Sequence, residues 1–208
     1  MRIPCFVVLA LATASACSKP SEPEPAAAAP QPAAQAPALT QDKPAAVGST
    51  GNASPAAGGL TWTASKPLTQ RPPKSSMRAA EYGVEGDTQS ERTVFYFGAD
   101  QGGGVEANIQ RWVSQFKQPD GSEAVTKRGE RTVKDITIST VETSGSFGGG
   151  MAPPGAPPPA AINDALLLGA IAKGPQGSVF FKLVGPRASV ESARSAFDQL
   201  LESLHKAE

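Results

Sequence analysis

The stretch FGADQGGGVEANIQRW, Phe97 to Trp112, decides which fold this chain can have. A run rich in β-branched and aromatic residues, ERTVFYF (Glu91–Phe97), gives way to Gly102, Gly103 and Gly104, and a helical pattern begins. Strand, glycine loop, helix is the layout of a dinucleotide-binding turn, and Gly102 to Ala107 spells its G-x-G-x-x-A fingerprint. That reading implies a parallel sheet with a phosphate on the helix N-terminus. The surroundings oppose it. Such a unit continues into a buried, hydrophobic parallel strand, whereas GSEAVTKRGERTV (Gly121–Val133) is polar and reads as one arm of a hairpin. Glu106 also places a carboxylate in the first helical turn, which favours the helix and repels a phosphate. A P-loop fails on spelling. Counted from Gly98, the second glycine is Gly103, and Gly104 and Val105 stand where lysine and Ser/Thr are required. Gly102, Gly103 and Gly104 remain the ligand-loop candidates, with a strand-to-helix corner as the plainer reading.

Outward from this stretch the periodicities are clear. Val105, Ile109, Trp112, Val113 and Phe116 form one apolar stripe of a helix that QPDGS (Gln118–Ser122) stops. Upstream, Leu60–Thr63 and Met77–Val84 have strand character, separated by a connection containing Pro67, Pro72 and Pro73. Downstream, Val125–Val133 and Ile136–Thr143 are strands joined tightly at Lys134-Asp135. DALLLGAIAK (Asp164–Lys173) and SVFFKLVG (Ser178–Gly185) flank the turn Gly174-Pro175-Gln176-Gly177 and read as a hairpin of central strands. A final helix is expected with Ser189 as N-cap, Glu191 in the first turn, and Val190, Ala193, Phe197, Leu200, Leu201 and Leu204 on its buried face. His205 and Lys206 would complement its C-terminal dipole. Trp62, Tyr82, Tyr96, Trp112 and Phe116 fall mostly in core-phase positions, and Phe95 and Tyr96 point to opposite faces of one strand. The order β-β-β-α-β-β-β-β-α contains few crossovers, so the fold class is α+β: a mainly antiparallel sheet with amphipathic helices packed on it.

The N-terminus, MRIPCFVVLALATASACSKP, carries an address. Arg2 precedes the apolar run Cys5–Ala12, which is too short for a bilayer core needing about 20 residues. Residues 1–16 therefore read as an export signal cleaved between Ala16 and Cys17. Ala14-Ser15-Ala16 fits ordinary secretory cleavage, and the same residues followed by Cys17 look like a bacterial lipobox with alanine in the usual leucine position. After processing, Cys17 is the only cysteine and lacks a disulfide partner, which favours the lipidated reading. Diacylation of Cys17 would anchor the chain stably in a membrane. Ser18 in place of aspartate favours the outer over the inner membrane; the alternative is a soluble periplasmic protein. Residues 17–59 are dominated by Ala and Pro and read as a disordered tether, and residues 60–208 as one globular domain. A second low-complexity segment, at about 146–161 within SGSFGGGMAPPGAPPPAA, reads as a disordered insertion at the surface.

Composition excludes several functions. The chain has 19 basic and 19 acidic residues, so no net field draws nucleic acid or anionic lipid toward it. The basic cluster Lys127, Arg128, Arg131 and Lys134 is interrupted by Glu130 and reads as a solvated strand face. His205 is the only histidine, and with Cys17 lipidated a triad, thiol or zinc site would have to rest on that residue or on carboxylates alone, so neither a metal nor another cofactor is expected. Glu81, Glu85, Asp87 and Glu91 leave a carboxylate-based hydrolase as a remote option.

At SSMRAAEYGV (Ser75–Val84), TVFYFG, GGGVEANIQRWVSQF (Gly102–Phe116) and LVGP…AFDQLLESL, the sequence resembles an uncharacterised group of exported bacterial proteins, often lipoproteins. Its recurring features are S-x-M-R-x-A-x-[FY] and a glycine-led helix of the N-x-x-R-W type. The resemblance brings no catalytic residues. The element order with its closing LLESL helix also resembles the PsbP-like fold, an α/β/α sandwich shared by a photosystem II extrinsic subunit and a Ran-binding import factor. That resemblance implies binding or assembly and no enzymatic activity, and the Pro-rich insertion departs from it. The resulting expectation is a lipid-anchored, non-enzymatic envelope protein that binds or assists an envelope partner. A small-molecule binding domain with its pocket at Gly98–Gly104 is the alternative.

Overall fold

A computed structural model of the chain describes residues 54–148 and 160–207; the expected signal, Cys17, most of the expected tether and the middle of the expected insertion lie outside them. The elements are β1 (Ala56–Ala57), β2 (Leu60–Thr61), β3 (Thr69–Arg71), β4 (Arg78–Gly83), β5 (Glu91–Tyr96), α1 (Val105–Val113), β6 (Phe116–Lys117), β7 (Val125–Val133), β8 (Ile136–Phe147), β9 (Ile162–Gly174), β10 (Gly177–Pro186), α2 (Arg187–Glu202) and β11 (His205–Lys206). An eight-stranded sheet has the order β3-β4-β5-β10-β9-β8-β6, with β7 paired to β8 alongside β6. Every pairing in it is antiparallel. A three-stranded sheet, β1-β2-β11, lies beside it. The fold is α+β, and the glycine stretch does not introduce a parallel crossover.

The hairpin β9–β10 forms the centre because it has no polar face to give to water. Ala165 to Ala172 are buried without a break, a pattern usually seen where both faces of a sheet are covered. One face, with Leu166, Leu168, Ala170, Phe181 and Leu183, packs against Val190, Ala193, Phe197, Leu200 and Leu201 of α2 and against Leu60, Trp62 and Tyr82. The other, with Ala165, Leu167, Ile171, Phe180 and Val184, packs against Ile109 and Trp112 of α1 and against Phe116 and Phe147. Phe95 joins the second cluster and Tyr96 the first, so both faces of β5 are covered.

Several expectations change at the level of single residues. Gly58 and Gly59, both with positive φ (61° and 73°), turn β1 back onto β2, so the fold begins before Leu60 and takes in the last residues assigned to the tether. Positive φ at both turn positions is the geometry that favours glycine in a two-residue hairpin. Lys134 and Asp135 adopt the same geometry without glycine, at φ 44° and 64°. Ser146 and Phe147, placed in the insertion, belong to β8, and Phe147 pairs with Ile162 across the insertion's base. The proline-bounded connection contains edge strand β3, where flanking prolines leave the ladder intact. Phe116 is buried as its stripe position requires, but the helix ends at Val113 and Phe116 pairs with Phe147 in the sheet.

The last helix starts earlier than Ser189. Pro186 occupies the N-cap position, Arg187 is the first helical residue, and no acidic residue lies in the first turn. Proline brings no N–H of its own and presets φ, and the N–H groups of the first turn receive no side-chain cap. His205 and Lys206 leave the helix and pair with Thr61 and Leu60. The side chain of His205 meets the Thr61 hydroxyl at 2.7 Å and, through Nδ1, the carbonyl of Ser203, the C-cap of α2, at 2.9 Å, so it ties the small sheet to the C-terminal end of the helix.

Candidate functional site

Three places gather side chains capable of chemistry. The glycine corner is the first. Gly98, Gly102 and Gly103 all have positive φ, and Gly102 lies so close to Phe97 and Phe180 that a Cβ there would come within 2.7 Å and 2.9 Å of their rings. Asn108, one turn into α1, donates from Nδ2 to the carbonyls of Gly102 at 2.7 Å and Gly104 at 3.0 Å. Arg111 donates to the Oδ1 of Asn108 at 3.2 Å, and Trp112 lies over Gly169 of β9, where a Cβ would meet its ring at 2.6 Å. Asn, Arg and Trp of the N-x-x-R-W pattern thus fasten the loop to the helix and the helix to the sheet. Glu106 reaches out to Arg128 of β7 at 2.7 Å, which holds its carboxyl below the usual range. Gly104 begins the helix without a side-chain cap. Gly102 is occupied by aromatic packing, Gly103 faces Asn108, and space opens only over Gly104.

The second place is a charged layer on the α1 side of the sheet. The helix is short and covers the centre of the sheet, leaving β4 and β5 to close their face with Arg78, Glu81, Glu91 and Lys182 of β10. Glu81 accepts from Arg78 at 2.8 Å and pairs with Lys74 at 3.4 Å; Glu91 takes the other arm of Arg78 at 3.0 Å. Lys182 is buried. Its Nζ stands 3.4 Å from Gln115 Oε1, 3.9 Å from Glu91 and 5.5 Å from the Phe147 ring. Burial pushes its pKa down, Glu91 opposes that, and Arg78 adds to it. Burial raises the pKa of Glu81, but the hydrogen bond from Arg78 leads the effects that bring it net below the ordinary value. On the opposite face Asp87 accepts from the backbone of Gln89 and Ser90, both at 3.0 Å, from the Ser90 hydroxyl at 2.7 Å, and from Arg92. Burial works against ionisation there as well, yet the bonds from Ser90 and Arg92 hold the carboxyl far below its usual range. Glu81, Asp87 and Glu91 are therefore each bound to a cation, and they divide between the two faces of the sheet. Glu85 makes no ion pair among the described residues.

The third place is the edge. β7 has β8 as its only strand neighbour among the described residues, and most of its side chains are exposed. The basic cluster is split by the alternation of the strand. Arg128 faces α1, whereas Lys127 and Arg131 face α2. Lys134 sits in the turn. A groove of about 670 Å³ lies between β7 and α1, lined by Gln110, Val113, Lys117, Ala124 and Arg128. A cleft of about 250 Å³ lies on the other side, between β7 and α2. Neither is the pocket expected at the glycine corner.

Asn108 and Lys182 both carried a signal in the sequence. Asn108 lies beside Ile109 and Trp112 on the inward stripe, and Lys182 interrupts the core-phase run of β10. A polar residue in a buried phase requires a partner, and the partners are what the sequence alone does not identify. Among the described residues no group of His, Cys, Asp and Glu could hold a metal ion, and no helix is long and apolar enough to cross a membrane.

No family model matches the sequence, and no curated protein does. Among solved structures, the chain is similar to the solution structure of cyanobacterial PsbP (CyanoP) from Synechocystis sp. PCC 6803, with 12% identity and a TM-score of 0.44, over 77% of this chain and 98% of that one.

Proposed function

We infer that this chain is a lipid-anchored, non-enzymatic envelope domain that binds or assists an envelope partner. Lipidation at Cys17, signal removal after Ala16 and an Ala/Pro tether form the anchoring half of this reading, with the outer membrane as the favoured location. The binding half is supported above all by β7, a nine-residue edge strand with a groove on each side. An edge of this kind offers unpaired backbone groups to an extended partner segment. The paired state of Glu81, Asp87 and Glu91 weighs against the hydrolase alternative, since a carboxyl acting as general acid needs a raised pKa and these are bound to arginine or lysine.

The anchor is tested by Cys17→Ala in the producing cell. The expected outcome is loss of membrane partitioning together with a change in electrophoretic mobility; unchanged partitioning would sink the lipoprotein reading. Cross-linking from positions on β7 in intact envelopes should recover a discrete partner, and its repeated absence would count against the binding role.

A further inference from the structure

The open edge of β7 carries a two-fold pattern. From Val125 to Val133 the strand reads V-T-K-R-G-E-R-T-V. Valines and threonines lie symmetrically about Gly129, and Arg128 and Glu130 flank it with opposite charge. The strand pairs with β8 along its whole length without a register shift, and it contains no proline. Among the described residues no strand lies on its other side, and Arg128, Gly129, Glu130 and Thr132 are exposed. An unbroken, accessible row of backbone donors and acceptors is what a further strand pairs with.

The turn after β7 fixes which groups that row contains. Lys134 and Asp135 form a two-residue loop with both φ positive, so Val133 and Ile136, which close it, exchange backbone hydrogen bonds. Alternation then directs the N–H and C=O of Arg131, Gly129 and Lys127 toward β8, and those of Thr126, Arg128, Glu130 and Thr132 away from it. The Thr126 and Thr143 hydroxyls meet at 3.0 Å, which suits a pair whose backbones do not bond and whose side chains are closer. A second β7 added antiparallel must set these outward-facing residues opposite one another. Centred on Arg128 or on Glu130, that pairing puts like charges face to face, which is destabilising. Centred on Gly129, it puts each Arg128 opposite Glu130 of the other copy and each Thr126 opposite Thr132. The two Gly129 then meet at the axis, where no side chain intrudes.

Other side chains agree with this register. Glu130 makes no ion pair among the described residues. Arg128 gives Glu106 its Nη1, which leaves its other nitrogens for a second carboxylate. Val125, 60% exposed, would be covered by Val133 of the other copy. The opposing contact is Lys127 with Arg131. Each brings its own carboxylate, Glu142 at 3.7 Å and Asp198 at 3.6 Å, which reduces the repulsion.

We propose that the open edge of β7 pairs with β7 of a second copy of this chain, antiparallel about a two-fold axis at Gly129, so that two sheets become one. The inference rests on the reading of β7 as a binding edge and names its partner. Nine residues of strand offer less contact than a standard stable interface, so the dimer is weak and reversible.

The test traps it in the full chain, in the producing cell, by oxidative cross-linking of cysteine variants, with the native chain as background. Gly129→Cys should give a reducible dimer, because the Cα atoms of a non-bonded pair lie about 4.5 Å apart, within disulfide reach. Thr132→Cys should not, because its thiols are displaced along the strands to roughly 20 Å. In the Gly129→Cys chain, adding Glu130→Arg or Arg128→Glu should each slow cross-linking about tenfold, since both symmetric pairs become like-charged. Adding the two together should restore most of the rate, and thermal melts check that every variant is folded. Absence of the Gly129 dimer, equal linkage at Thr132, indifference to Glu130→Arg, or no recovery in the folded double variant would each overturn the proposal. A chain that stays monomeric at Gly129 while β7 cross-links to another envelope protein would end this inference and leave the binding role standing.

Discussion

Strands β9 and β7 belong to the same antiparallel ladder, one strand apart, yet their sequences have almost nothing in common. Ala165–Ala172 is an unbroken apolar run, whereas TKRGERT, Thr126–Thr132, sets charged pairs on either side of Gly129 between two threonines. The difference follows from what covers them. β9 has a strand on each side and a helical layer on each face, so polar groups are expelled from it. β7 has one strand neighbour among the described residues, and most of its side chains are exposed, so charge is tolerated along it. Strand character in this protein is thus set by tertiary surroundings, and apolar content measures distance from the edge.

The contrast between interior and edge can be broken in three places, beginning with the largest effect. Near the centre, Arg92 of β5 is buried, with its side chain 3% exposed, and Asp87 is its paired carboxylate. Asp87→Asn leaves a buried guanidinium without its counter-charge and should cost about 3 kcal/mol in chemical denaturation. It should also change the acid response. A depressed folded pKa gives stability above the unfolded value of about 3.8, and that stability is lost as the pH falls toward the folded value. The native protein should therefore lose melting temperature below about pH 4 more steeply than the variant, and parallel curves would show that Asp87 contributes no such linkage.

Next comes Gly169→Ala. Its Cβ would come within 2.6 Å of the Trp112 ring and 2.8 Å of Val141 Cγ1, so the helix must shift, at about 2 kcal/mol by the usual scale of overpacking. The near-ultraviolet circular dichroism of Trp112 should change together with the denaturation midpoint. The edge counterpart, Gly129→Ala, should stay within about 0.5 kcal/mol of the native protein, because its nearest neighbour is the Thr140 hydroxyl at 3.1 Å, on an exposed strand able to yield. Equal losses at Gly169 and Gly129 would contradict the difference between interior and edge.

Much of this architecture was legible in the sequence because it depends on local periodicity. The β9–β10 hairpin, the α1 stripe with Trp112 inward and the tight turn at Lys134-Asp135 all follow from residues near one another in the chain. The failures share a cause. β3, β6 and β11 each have two or three residues and exist through partners far away in sequence, so no window of periodicity contains them. His205 meets the helix end through the Ser203 carbonyl, but its second partner, Thr61, lies 144 positions away and could not be read. For the same reason the cleft between β7 and α2, built from segments far apart in the chain, was not legible. The glycines of Gly102–Gly104 were conspicuous in composition, but their role depends on Asn108 and Phe180.

The small sheet gives the domain a mechanical property. β11 and Ala207 are laced to Gly59, Leu60 and Thr61, while β1 is held to β2 by two residue pairs and by the bond from the Trp62 N–H to the Pro55 carbonyl at 3.3 Å. A pull on the chain before Ser54 meets that bond first and then the β1–β2 pairs. Leu60 and Trp62, both fully buried, fix the other side of this short ladder in the core. Leu60 is also clasped by the C-terminal strand, so the force passes into both ends of the fold together. The two-residue pairing of β1 with β2 is thus the lightest joint between the N-terminal end of the described chain and the packed sheet.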